Sequence, residues 1–451
     1  MKKILLFSVL LAGAALFAGC AGEEENLFDK SAAERLNEIS KTYTQRLEAS
    51  PGGWVMEYYP TNDTEGFGGQ GYLLMARFNP DHSVTMGMNN ELSLNQYLED
   101  TTPWEVITDN GPVLSFNSYN ECMHTFSDPE AYIRGIAVGD QGTGVGGDYE
   151  FVMVDVPEDG EFIMLKGKKR GTYTRMTRVP ADTKLDVYLT GVKVFQTMLF
   201  PSSFNPVVLN MGDKRFRMIQ GNTGVPNIYK FDGDSIADES RHPFLMTIRN
   251  SDLYLRFREP IEIGQDSTVQ EFVLKEGNLV GVDAKGVEAS ITGFPKGLFF
   301  NERLTYLSQY TSGKGASVAP AAKMSDKMVD IFTRITNSLK ARKVTFKGLK
   351  LVLDKDGVLT WRLQYRASTG DAATSYIYDW STTDEDVTFT FKETNAAGTQ
   401  MMSLYDGVSD LVNALGQKFN FRASLTSFDL RTMRLVAADD PDMWFEITWE
   451  N

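Results

Sequence analysis

Apolar residues at helical spacing open the first ordered stretch of the chain. Ala33, Leu36, Ile39, Tyr43 and Leu47 fall on one face of a helix. Ser31 and Glu34 stand three apart ahead of it, the spacing of a capping box in which hydroxyl and carboxylate each take a backbone N–H. Ser50-Pro51-Gly52-Gly53 stops the helix. From Trp54 the period changes to two. Tyr72, Leu74, Ala76 and Phe78 alternate with Leu73, Met75 and Arg77 before the turn Asn79-Pro80-Asp81. The same alternation carries Leu253, Leu255 and Phe257, then Trp361, Leu363 and Tyr365. In the final run, Phe445, Ile447 and Trp449 share one face. Turn signals recur at Asp109-Asn110-Gly111-Pro112, Glu158-Asp159-Gly160, Asp232-Gly233, Glu276-Gly277-Asn278 and Asp356-Gly357. Strands with one dry and one wet face belong to antiparallel sheets.

Two later helices interrupt the strands. Ser325 caps one that carries Met328, Phe332, Ile335 and Leu339 on a single face, and a second is expected from Met401 to Leu415. The Ser-, Gly- and Ala-rich stretch 308–322 reads as a linker. The expected fold is mainly β with a few helices (α+β). An antiparallel, lipocalin-like meander tending to a barrel (31–180, with its leading helix) precedes a β-rich middle region (181–307), the linker (308–322) and a C-terminal α+β domain (323–451). The helix near 325–340 and its meander echo the helix at 32–48 and its own meander, as a distant duplication would.

The first thirty residues carry an address. Lys2 and Lys3 precede the uncharged, largely apolar run Ile4 to Phe17, and small residues lead to Cys20. The run falls short of the about 20 residues that a membrane span needs. Residues 1–19 thus read as an export signal and 20–30 as an acidic tether. Leu16-Phe17-Ala18-Gly19-Cys20 resembles the lipobox of bacterial lipoproteins, with Phe17 where Leu is usual. That resemblance implies lipidation at Cys20 and a membrane as partner, each buried methylene adding about 0.8 kcal/mol of membrane affinity. Glu23-Glu24-Glu25 is similar to the run that sends Bacteroidetes lipoproteins to the outer face of the outer membrane, and is equally a solvated linker.

Composition narrows the function classes. Of 451 residues, 432 remain after a 19-residue leader, and the net charge of −15 becomes −17 without Lys2 and Lys3. Such acidity argues against nucleic acid, which needs a basic footprint. Cys122 is the one cysteine besides Cys20, so no internal disulfide forms. Beside no obvious basic partner, it reads as a small buried hydrophobe. Nothing in the composition sets an oligomeric state.

Chemical motifs fail on context. Gly142-Thr143-Gly144-Val145-Gly146-Gly147 spells a dinucleotide string, but a strand-like Asp148 to Val154 follows where a helix is required. His82, His124 and His242 form no zinc motif, so no metal or cofactor is expected. Asp354-Lys355-Asp356-Gly357 reads as a hairpin turn rather than a calcium loop. No G-x-S-x-G occurs.

The segments Leu27 to Leu36, Pro51 to Tyr59, Leu114 to Asn117 and Gly146 to Phe151 resemble an uncharacterised family of Bacteroidetes surface lipoproteins. The resemblance implies a cell-surface protein. The reading that follows is a surface binding or scaffold module for nutrient capture, its ligand a glycan or a peptide, and not an enzyme. An envelope hydrolase working through a carboxylate pair and a structural or adhesion subunit stay open beside it. The ligand site is placed at Trp104, His124 and Asp128, on the expectation that the loops Asn89 to Pro103 and Tyr119 to Gly147 converge on one barrel rim as a single main pocket.

Overall fold

The computed structural model describes residues 30–61, 69–109, 111–199, 207–220, 226–230, 240–263, 266–310, 313–425 and 430–450. The lipidation candidate Cys20 and the acidic run Glu23 to Glu25 lie outside them.

The protein is mainly β, as the alternating periods foretell, with an antiparallel barrel-type first region and a C-terminal α+β region. One wiring plan occurs three times. In the first unit, helix α1 (Ala32–Glu48) leads to the strand Trp54–Tyr58, which pairs both with the next strand, Tyr72–Phe78, and with the last, Tyr173–Arg178. From there the sheet runs out both ways in sequence order to two edges, Leu98–Pro103 and Glu105–Thr108. Trp104 alone separates those edge strands. A single bent strand therefore supplies both edges, and the nine-stranded sheet is an eight-strand meander curled on itself.

A second nine-stranded sheet has the same order around its own first strand, Val207–Met211. Its edges, Ser240–Arg241 and Phe244–Arg249, are separated by His242 and Pro243. In the third unit the plan closes into a barrel, Ala316–Val318 pairing with Thr345–Leu353 and with Trp444–Trp449. Here the fourth strand, Gly370–Thr382, bends at a bulge at Ile377/Tyr378 and pairs with Leu359–Ala367 through its first part and Asp386–Thr394 through its second. The first unit also carries the short helix α2 (Glu121–His124) between its fifth and sixth strands. Helices α3 (Leu185–Leu199) and α4 (Lys296–Tyr310) lead into the second and third units.

The capping box forms, Glu34 N–H donating to Ser31 Oγ and Ser31 N–H to Glu34 Oε2. The buried stripe of α1 differs from the expected one. Ser40 and Leu47 are buried with Tyr43 half-buried, while Ala33 and Ile39 face solvent, because the helix starts beyond the sheet and docks by its C-terminal half. The strand Tyr72–Phe78 is dry on one face and nearly dry on the other. Tyr72, Leu74, Ala76 and Phe78 fill the first core, while Met75, with Val55, packs against Leu185, Leu189 and Val192 of α3 and the second sheet. Glu57 and Arg256 form an ion pair across this junction at 3.2 Å.

Two further expectations, the linker and the single late helix, are corrected. The stretch 308–322 is no linker: Ala316–Val318 is a barrel strand, and Phe300, Leu304 and Leu307 of the preceding α4 belong to the barrel core. The middle region is β-rich as expected, and α3 and α4 lie within 181–307 or reach just past it. The helix expected over 401–415 is two, α6 (Ala396–Leu404) and α7 (Val408–Leu415), broken where Gly407 takes φ +83°. Between α4 and these lies α5 (Asp326–Lys340), capped by Ser325 and buried through Met328, Phe332, Ile335 and Leu339 as its pattern requires. Asp354 Oδ1 accepts the N–H groups of Asp356 and Val358, a local turn.

Candidate functional site

Between the fifth and sixth strands of the first unit the chain leaves the sheet for residues 116–149. The excursion begins rigidly. Asn120 is buried. Its Oδ1 accepts the N–H groups of Cys122 and Met123, and its Nδ2 donates to Thr102 Oγ1 at 3.1 Å. Glu121 N–H donates to Asp100 Oδ2, and Cys122, Met123 and Phe126 sink into the core. Arg134 donates to the Leu92 carbonyl at 2.8 Å. The two loops expected to meet are thus in contact.

They do not form one pocket. The first, through Asn89, Asn90, Glu91 and Asn95, lines a cleft against α3 and the second unit. The second lines another of roughly 330 Å3, walled by Ser127, Pro129 and the glycine segment 142–147 on one side and by Lys168, Lys169 and Arg170 on the other. The glycine segment is a chain of turns followed by the strand Glu150–Asp155, which removes the dinucleotide reading. Gly144, at φ +50°, has no room for a side chain, since a Cβ would meet the Asp128 carbonyl at 2.0 Å.

Asp148 joins the two walls. It is 4 % exposed, and its carboxylate accepts the N–H groups of Lys169 (3.0 Å) and Arg170 (2.7 Å) while its carbonyl takes the Tyr58 hydroxyl (2.9 Å). Burial raises the Tyr58 phenol far above its ordinary range, so it stays a donor. Glu150 and Asp109 both hold Lys168, at 3.1 and 2.8 Å, and these bonds raise the Lys168 ammonium above its usual value. Both carboxylates lining the cleft are therefore engaged, and neither is placed as the free partner that a glycosidase pair requires.

At the lip, three rings gather, one pair of them stacked. His124 lies 4.8 Å from Tyr149, nearly parallel, and 5.3 Å from Tyr119. Tyr119 is 63 % and Tyr149 41 % exposed. His124 Nδ1 accepts the Asn120 N–H at 3.0 Å, so this nitrogen carries no proton and the ring is neutral. Burial pulls its pKa below the ordinary histidine value. Its Nδ1 lone pair is spent on the backbone, and among the described residues no group of three His, Cys, Asp or Glu side chains converges as a metal site.

Of the three residues singled out from sequence, His124 is at the lip. Asp128 is half-buried between lining residues Ser127 and Pro129, its Oδ1 spent on the Glu130 N–H. Trp104 is apart from both clefts. It is 2 % exposed at the bend of the shared edge strand, its indole donates to the Ser83 carbonyl, and its ring packs on Phe78 at 4.6 Å. Tyr119, Tyr149 and the basic triplet 168–170 were not singled out. Three successive cations in an acidic chain are the signal that marks the triplet.

Among solved structures, similarity is found to the DNA polymerase sliding clamp of Pseudomonas aeruginosa, at 12% identity over 90% of this chain and 96% of that one, with a TM-score of 0.13. The DNA polymerase III beta chain of Streptococcus pneumoniae gives 9%, 91%, 97% and 0.12. The Caulobacter crescentus pol III beta gives 9%, 92%, 98% and 0.13. Scores this low carry no argument about this chain. No curated protein matches the sequence. A family model does, over residues 24–276, which takes in all four of the segments named above as a resemblance and the whole candidate site. The chain belongs to the family described as a domain of unknown function, DUF4302.

Proposed function

We propose that the protein is a binding module, lipid-anchored through Cys20 to the outer membrane of a Bacteroidetes-type cell and exposed at its surface, that captures glycan. One observation carries the ligand class: two exposed tyrosines flank a stacked, neutral histidine at the lip of an open cleft with polar walls. The C–H face of a sugar ring buries apolar area against such a platform, and rigid rings lose little conformational entropy in doing so. Polar groups in the adjoining cleft, Ser127, Thr143, Lys169 and Arg170, supply the hydrogen bonds that fix orientation. The leader, the cysteine after Ala18-Gly19 and the acidic run support the address.

A glycan array probed with the soluble chain, followed by calorimetry on its hits, tests the ligand class. Tyr119→Ala with Tyr149→Ala should abolish binding of those hits without lowering the melting temperature, since both rings are exposed. Hits that bind the double variant as tightly as wild type overturn the platform. The address is tested separately: Cys20→Ser should abolish labelling by a fatty-acid analogue, and Ala at Glu23, Glu24 and Glu25 should reduce protease shaving on intact cells.

A further inference from the structure

A second cleft, roughly 280 Å3, lies where the first unit meets α3 and the second unit. Its floor is apolar, formed in part by Leu189, Val192 and Phe244, and its rim is crowded with side-chain amides. Lys193 reaches in from α3. Its ammonium donates to Asn89 Oδ1 at 3.2 Å and to Asn95 Oδ1 at 2.9 Å, both neutral acceptors. No carboxylate pairs with Lys193 among the described residues. Glu91, whose negative charge acts on it from across the cleft, receives a hydrogen bond from Gln70 Nε2 at 2.7 Å. The direct partners of this cation are amide oxygens, Glu91 on the same cleft offsets its charge from further off, and partial burial still lowers its pKa. The two asparagines spend their oxygens on Lys193, which leaves their amide nitrogens as donors beside it.

The rim is also held at a cost. Leu94 and Asn95 both take left-handed backbone, φ +57° and +59°, and Leu94 is 55 % exposed. A leucine gains nothing from either condition, and left-handed backbone is strained for it. It brings the Asn95 amide to the Lys193 ammonium.

We infer that this junction cleft is a binding site for a small carboxylate-bearing ligand, the carboxylate meeting Lys193 and the amides of Asn89, Asn95 and Gln196 bonding its polar body. A charge-assisted N–H···O bond at a half-buried ammonium is roughly twice as strong as a neutral one. The site lies between units, a common place for ligand clefts. Its volume limits the occupant to one or two sugar or amino-acid residues. Two sources fit this chemistry: a uronic acid and the carboxy terminus of a short peptide.

Calorimetry on the purified chain with galacturonate and with N-acetylalanine separates them, with galactose and N-acetylalanine amide as neutral controls. At least one acid should bind and its neutral control should not. Lys193→Met should weaken that acid by about tenfold or more, the equivalent of about 1.4 kcal/mol. Gln196→Glu, on the half-buried rim of α3, should weaken it through like charge while leaving the melting temperature unchanged. Tyr149→Ala should leave this binding intact, which separates it from glycan capture at the lip. Failure of both acids to bind, or binding that survives both Lys193→Met and Gln196→Glu, overturns the inference.

Discussion

Replacing Phe300 with alanine should loosen the third unit and leave the first as it was. Phe300 is fully buried in α4, its ring 5.3 Å from Phe421, 5.4 Å from Trp449, 6.3 Å from Trp380 and 6.4 Å from Phe389. Those four rings come from four different barrel strands, so one side chain fills the space they surround. Truncating a buried phenylalanine costs about 3–5 kcal/mol, the lost transfer energy plus the cavity. Edge-on ring pairs add about 0.5–1.5 kcal/mol each beyond area. Two of the four are close, and the barrel walls are tied by hydrogen bonds and collapse little, so the upper part of the range applies, about 4 kcal/mol. Hydrogen exchange followed along the chain localises the loss. Amides of Thr345–Leu353 and Asp386–Thr394 should exchange faster while those of Trp54–Tyr58 and Tyr72–Phe78 keep their rates. The exposed Tyr310→Ala at the end of the same helix should change stability by under about 0.5 kcal/mol. A loss below about 1 kcal/mol, or equal loosening of the first unit, would refute the assignment of α4 to the barrel.

Glu57→Gln leaves Arg256 without its counter-charge at the junction of the first two units. With Glu57 3 % exposed and Arg256 partly so, the loss should be about 2–4 kcal/mol in denaturant melts, at or below the cost of breaking a fully buried pair. Burial holds His124 below its ordinary pKa, so between that folded value and the unfolded one near 6.5 the unfolded chain binds more protons. Its contribution is present above about pH 6.5 and is lost as pH falls through the folded value. The drop in denaturant midpoint from pH 7.5 to pH 5 should therefore shrink in His124→Asn, with His242, also lowered by burial, supplying a remainder. Burial pushes the Cys122 thiol up to about 12, so a disulfide reagent at pH 8 should label it only after denaturant is added.

What the sequence makes legible follows from how much of each element's pattern is its own. Helices α1 and α5 carry caps and apolar stripes against solvent, which a single sequence displays. Helix α3 hides because Val187, Thr190, Val192, Val194 and Thr197 favour strands, and because its dry side faces two sheets at once. Helix α4 hides because Phe300, Leu304 and Leu307 point into a barrel while Phe299 and Tyr306 lie on other faces, which blurs the stripe. The small residues of 308–322 read as a linker, yet at Gly315 they answer to packing: a Cβ there would meet the Leu351 carbonyl at 1.8 Å. The sequence echo between the helices at 32–48 and 325–340 has the right motive and the wrong partner. The leading helix of the third unit is α4, and α5 is an insertion after its first strand. Trp104 illustrates the same limit at the site. A tryptophan at a loop boundary suits a ligand platform or a corner of the core, and only the bend between two edge strands decides for the core.

The threefold plan explains why the lip and its cleft fall in the first unit. Each unit can leave the sheet between its fifth and sixth strands, and the three do so differently. In the second the connection is three residues, 264–266. In the third it is 395–417, whose helices α6 and α7 turn inward: Val408, Leu411, Val412 and Leu415 are buried, and the Tyr378 hydroxyl donates to the Val412 carbonyl. That end of the barrel is spent on stability. In the first unit the short helix α2 and Phe126 plug the core together with Ile133, Val138 and Val145, and the residues between and after them are held by turns, by the Asp148 carboxylate and by glycines that admit close backbone approach. With these apolar side chains turned inward and the backbone fixed by its own hydrogen bonds, Tyr119, Tyr149 and the wall facing Lys168 to Arg170 are left to solvent on a rigid base. The same wiring that closes one barrel with a hydrophobic plug thus presents, in another, an ordered polar surface on which a ligand can be held.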